Sequence, residues 1–147
     1  MRYPILFLLL LFTFLSACNK DKFSSTPSLK FKSVNTRVLK SGQQIEFTLS
    51  FTDAEGDLSG TVFVQEVVPN CTASGFKQSY QVPAFPTSKN QKGDLTVTFG
   101  YNTSNPSLSN ISPKCMENDT ATFRFALIDK AMHVSDTVSS PLIILVN

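Results

Sequence analysis

The chain has 147 residues, 13 basic and 11 acidic, with 41% hydrophobic residues, 13 phenylalanines, no tryptophan and a single histidine. Near-neutral charge gives no electrostatic case for nucleic acid, or for an anionic surface, as a partner, and the length suits one domain with its own core. Three isolated cysteines and one histidine lack the spacing of a zinc ligand set.

Arg2 precedes an apolar run at residues 5–15 (ILFLLLLFTFL). The run is shorter than the roughly 20 apolar residues of a membrane-spanning helix, so it reads as a removable targeting segment. Leu15-Ser16-Ala17-Cys18 closes it and resembles the lipobox of bacterial lipoproteins. The resemblance implies cleavage after residue 17, a diacylglycerol thioether on Cys18 and acylation, palmitate among the chains, of the new amine. Each buried CH₂ contributes roughly 0.8 kcal/mol, so two or three acyl chains give a lasting anchor. It also implies a bacterial outer-membrane location, on the periplasmic or the cell-surface face. Loss of residues 1–17 leaves 130 residues, with 12 basic against 11 acidic. With Cys18 given to lipid, Cys71 and Cys115 remain as an even pair in an oxidising compartment, which reads as a disulfide.

Residues 18–28 are polar, with Pro27 near the end, and read as a lipidated, flexible tether. Lys20-Asp21 only partly matches the acidic signal that directs surface export of Bacteroidetes lipoproteins. The domain is expected over residues 29–147. Residues 29–39 are expected to form one strand or two short ones, ending at Ser41-Gly42. Ile45, Phe47, Leu49 and Phe51 then alternate with polar residues, the period of a strand with one buried face. Residues 52–59 (TDAEGDLS) break the pattern. Residues 60–68 are β-branched and aromatic, a strand stopped by Pro69-Asn70. Pro83 and Pro86 place a strand at 78–85 on an edge or in a loop.

Gly93-Asp94 reads as a turn, after which Leu95, Val97, Phe99 and Tyr101 alternate with polar residues. Residues 102–118 read as a long loop carrying Cys115. Ala121, Phe123, Phe125 and Leu127 repeat the alternation, residues 129–135 form a connection, and 137–146 are a last strand interrupted by Pro141. Residues 142–146 are apolar without alternation, as in a strand covered on both faces. No helical periodicity appears after the targeting run. About seven short strands with polar turns predict an all-β, antiparallel β-sandwich of immunoglobulin-like build.

Phe51-Thr-Asp53-Ala-Glu55-Gly56-Asp57 resembles the FxDxDGD turn of cadherin-like and related Ig-like bacterial domains. Asp129-Lys-Ala131, followed by Ser135-Asp136-Thr137, resembles their closing hairpin. With the lipobox, most of the chain resembles the single-domain Ig-like lipoproteins of Bacteroidetes. The usual Gly-Asn after Asp-x-Ala is Met132-His133 here, which puts the left-handed turn of that hairpin in question. The resemblance implies calcium held by carboxylates at one pole. In an Ig-ordered sandwich the loops after the second and sixth strands meet at one end. Asp53, Glu55, Asp57, Asp129 and Asp136 are therefore the expected calcium ligands, since calcium takes six to eight oxygens. Asp and Gly in such loops are also ordinary turn formers, and the spacing is not an EF-hand, because Val64 stands at the twelfth position from Asp53.

No catalytic residue is expected. His133 lies in a turn without a Gly-x-Ser-x-Gly nucleophile, and a domain of this size leaves little room for a glycosidase cleft. The expected function is a non-catalytic binding or structural module on the envelope, with calcium at one pole. The alternative is a surface that docks an envelope protein or glycan without metal, through an edge or the 102–118 loop. Asp119-Thr120-Ala121 and Asp136-Thr137-Val138 resemble Bacteroidetes O-glycan acceptor sites.

Overall fold

A computed structural model describes residues 23–71, 75–84, 86–113, 115 and 118–146. The targeting run, Cys18 and residues 19–22 of the expected tether lie outside the described residues. The chain is all-β. Its strands are β1 (Ser28–Val34), β2 (Val38–Lys40), β3 (Gln44–Asp53), β4 (Thr61–Val67), β5 (Lys77–Gln81), β6 (Gln91–Tyr101), β7 (Ser109–Ile111), β8 (Asp119–Ile128), β9 (Val138–Ser139) and β10 (Ile143–Val146). One sheet runs β1-β3-β6-β7 and the other β2-β10-β8-β4-β5, with β9 paired to β8.

The two sheets pack face to face because β3 and β8 each bury every second residue. Ile45, Phe47, Leu49 and Phe51 point inward from β3, and Ala121, Phe123, Phe125 and Leu127 from β8. The Phe47 ring centre lies 5.0 Å from that of Phe123 and 5.2 Å from that of Phe125 across the gap, and 5.6 Å from Phe99 of its own sheet. Tilted aromatic pairs of this kind add roughly 0.5–1.5 kcal/mol each beyond the area they bury.

Several expectations are refined. Among the described residues, ten strands stand where about seven were expected, and two edge pairs are parallel: β2 with β10 and β6 with β7. Gly93-Asp94 is not a turn. It continues β6, because β3 is long enough to pair with it as Phe51↔Gly93 and Ser50↔Asp94. A Cβ at Gly93 would lie 3.0 Å from the Phe51 ring, so glycine is what lets that ring settle against its neighbour strand. The 102–118 loop holds β7, which delivers buried Ile111 to the core. Residues 142–146 are not covered on both faces: Ile143 and Leu145 are buried while Leu142 and Ile144 face outward. Within the described part of the expected tether, Pro27 is buried and the Ser24 carbonyl accepts from Ala54 N–H at 3.0 Å.

Cys71 and Cys115 form a disulfide with Cα atoms 6.1 Å apart, 44 residues apart in sequence. It joins the end of β4 to the loop before β8, at the pole opposite Asp53. On the chain-entropy model, opening this loop costs up to about 4 kcal/mol. Replacing both cysteines by serine, or reducing the bond, should lower the urea midpoint without changing far-ultraviolet circular dichroism under native conditions.

Candidate metal centre

The inward alternation of β3 runs one step past its last apolar residue and ends on Asp53, whose side chain is fully buried. The inward series of β8 likewise continues from Leu127 to Asp129, which is 2% exposed. β3 and β8 end at the same pole, so two carboxylates cap the core where the hydrophobic residues stop.

Asp53 organises the loop after β3. Its Oδ2 accepts from the backbone N–H of Gly56 at 2.7 Å and of Asp57 at 3.1 Å, local side-chain-to-backbone bonds that favour Asp at the start of a loop. Gly56 has φ +73°, and a Cβ there would meet the Ser88 carbonyl oxygen at 2.1 Å. Only glycine fits both demands. The loop is held on both sides: Ala54 N–H donates to Ser24, and the Ala54 carbonyl accepts from Asn90 N–H at 2.9 Å. The Asp57 carbonyl accepts from Lys130 N–H at 3.2 Å, which ties this loop to the one after β8.

Asp129 organises that second loop. Its Oδ1 accepts from His133 N–H at 2.8 Å, and its Oδ2 lies 3.0 Å from His133 Nδ1. Met132 adopts φ +69°, so the left-handed turn forms without the glycine that usually supplies it. Backbone bonds on either side hold it: Met132 N–H to the Asp129 carbonyl, and Asp129 N–H to the His133 carbonyl.

Together the loops place one carboxylate oxygen each of Asp53, Asp57 and Asp129 within 4.8 Å of one another. Two oxygens bound to one calcium at 2.3–2.6 Å lie at most about 5 Å apart, so the spacing fits a shared ion. Asp53 Oδ1 and Asp57 Oδ1 are buried with no hydrogen-bond partner. A buried, unpartnered carboxylate oxygen costs on the order of 1–3 kcal/mol or more, which a cation would relieve.

Of the five residues expected from sequence, Asp53, Asp57 and Asp129 come together, while Glu55 and Asp136 are exposed and stand outside the group. Glu55 lies on the solvent side of the loop that Asp53 holds. Asp136 follows Ser135, which turns inward to bond Leu127 through both its hydroxyl and its N–H. His133 stands in the expected turn with its side chain 40% exposed, and its spacing of four residues from Asp129 is the sequence signal of their contact. Cys71, Cys115 and Asp119 also cluster, but both sulfurs are spent in the disulfide.

No protein-family model matches the chain, and no curated protein does. Among solved structures, the sporulation control protein Spo0M of Bacillus subtilis is similar at 8% identity and a TM-score of 0.47 over 84% of this chain. The match spans 51% of the Spo0M chain, so this chain corresponds to about half of it. A Niemann-Pick type C2 protein from the Japanese carpenter ant gives 10% identity and a TM-score of 0.47, covering 84% of this chain and 97% of that one. A CARDB domain from Pyrococcus furiosus, solved in complex with di-metal ions, gives 8% identity and a TM-score of 0.34, covering 84% and 97%.

The hydrogen bond to Asp129 pushes the His133 imidazole above its ordinary value of 6.5, and the charges of Asp129, Glu55 and Asp57 add to it, against a smaller opposing effect of burial. A raised folded value means that His133 contributes stability that is complete below its unfolded value and is lost as pH rises through the folded one. An NMR titration of the imidazole in chelator should therefore give a midpoint above 6.5. Asp129→Asn should return the midpoint toward the ordinary value.

Proposed function

We propose that the chain is a lipid-anchored, non-catalytic binding or structural module of the bacterial cell envelope, with a calcium ion at the pole formed by Asp53, Asp57 and Asp129. The observation that carries the calcium reading is Asp53: fully buried, with Oδ2 fixed by two backbone donors and Oδ1 without a partner beside two further carboxylates. All-oxygen donors select a hard cation. Three carboxylates on two clamped loops suit calcium better than magnesium, which demands near-ideal octahedral geometry and keeps its water. The anchor is supported by the run at 5–15 and the Leu15-Ser16-Ala17-Cys18 sequence. The described body begins close behind it, at Phe23.

Calcium at a hundredfold excess over its dissociation constant should stabilise by about 2.7 kcal/mol, a melting shift on the order of 10 °C. Asp53→Asn keeps an acceptor for the turn but removes the charge. Its melting temperature in chelator should match or exceed the parent's, and the calcium shift should vanish. A parent protein with equal melting temperatures in millimolar calcium and in chelator would remove the calcium reading.

The anchor has a separate check. Cells fed an alkyne-tagged palmitate should label the chain, and Cys18→Ser should abolish the label and the processed form. An unlabelled chain in the soluble fraction would refute the anchor while leaving the calcium measurement intact.

A further inference from the structure

Three loops project from the pole where the acidic cluster lies. Asp53 pairs with Gln91, and Thr61 pairs with both Gln81 and Ile128. The connections after β3, β5 and β8 therefore share one end of the sandwich. The last of them is a tight turn. Met132 N–H donates to the Asp129 carbonyl, and Val134 bridges back to Ile128. Lys130, Ala131 and Met132 form its exposed tip.

Met132 is out of place there by two measures. Its side chain is 75% exposed, and Val134 beside it is 54% exposed. It also holds φ +69°, a conformation that glycine or asparagine adopts at lower cost. An apolar side chain left in water, on a backbone that does not favour it, points to a contact outside the chain. Pro83 and Ala84, in the loop after β5, add exposed apolar surface at the same end. Lys130 and Glu55 are exposed there too, with opposite charges, so hydrocarbon distinguishes this end more than charge does.

The start of the chain indicates what this end faces. Ser28 pairs with Thr52, and the Ser24 carbonyl accepts from Ala54 N–H, so the chain enters the fold at this pole. Cys18 stands six residues before Ser24 in the sequence, and six residues reach at most about 22 Å. The ten residues of β3 put the opposite pole about 30 Å away. An acylated Cys18 keeps the acidic pole, rather than the opposite one, close to its bilayer. The other exposed large apolar side chains among the described residues are Val38, Leu142 and Ile144. They lie toward the far end, where Ile144 pairs with Val38 and with Thr120 at the start of β8.

We propose that the turn after β8 docks on the phospholipid bilayer that carries the anchor, with Met132 and Val134 sunk between headgroups and acyl chains. The docking rests on the anchoring reading and does not require calcium. Shallow insertion of apolar side chains is the usual way a surface element meets an interface. The unbranched, adaptable methionine side chain suits a fluid partner.

The test uses the acylated chain in vesicles of phosphatidylethanolamine and phosphatidylcholine, in chelator, with a phospholipid that carries a diazirine in its acyl chain. After irradiation, tandem mass spectrometry locates the label by residue. Label should fall on residues 131–134 and not on Val38 or Ile144, and it should persist in 0.5 M salt, about the level at which charge attraction is screened. Met132→Gly should lower the label on Val134 by roughly tenfold. Glycine adopts the positive φ freely, so melting should stay within a few degrees. Met132→Asn, which also tolerates that φ, should act alike.

Label on Val38 and Ile144 instead, no label on 131–134, loss of label in salt, or indifference to both Met132 variants would overturn the proposal. Flotation is scored first. A chain that does not float refutes the anchor. Its turn must still be labelled in excess lipid if this is a docking face, and silence there overturns the docking as well.

Discussion

The contact of Phe47 with Phe123 and Phe125 across the two sheets sets the relation between β3 and β8. Those two strands run to the same end of the sandwich, and the inward series of each fixes which residue comes next beyond the core. On β3 that residue is Asp53, two past Phe51; on the β8 side it is Asp129, two past Leu127. Period-two geometry points Asp53 inward at the end of β3, and Asp129, one residue past the end of β8, keeps to the same inner side. The placement of the acids is therefore a consequence of core packing. A change that shifted Phe47 would move the site.

Buried carboxylates close to one another are costly in free energy. The fold meets part of that cost locally: backbone N–H groups of Gly56, Asp57 and His133 point at Asp53 and Asp129. What they leave is directional, for Asp53 Oδ1 and Asp57 Oδ1 have no donor. The loops that hold them are clamped by Ser24, Asn90 and the Ser88 backbone. Such a site is preorganised, and little ordering would oppose the arrival of an ion.

The strands that bury one face were legible because alternation survives in the sequence at 45–51, 95–101 and 121–127. Pairing hid the rest. Gly93-Asp94 has turn composition, but a long partner strand and the ring of Phe51 recruit it into β6. Residues 142–146 look uniformly apolar, yet outward Ile144 pairs with Val38 at a parallel edge, and no local pattern announces a parallel neighbour. In the site, spacing could place Asp53 and Asp129 at one pole but could not separate Asp57 from Glu55. That choice belongs to the Asp53 side chain, whose bond to Asp57 N–H draws Asp57 back over it and leaves Glu55 on the solvent side. Met132 shows the converse: a residue unsuited to positive φ still takes it when bonds on both sides require the turn.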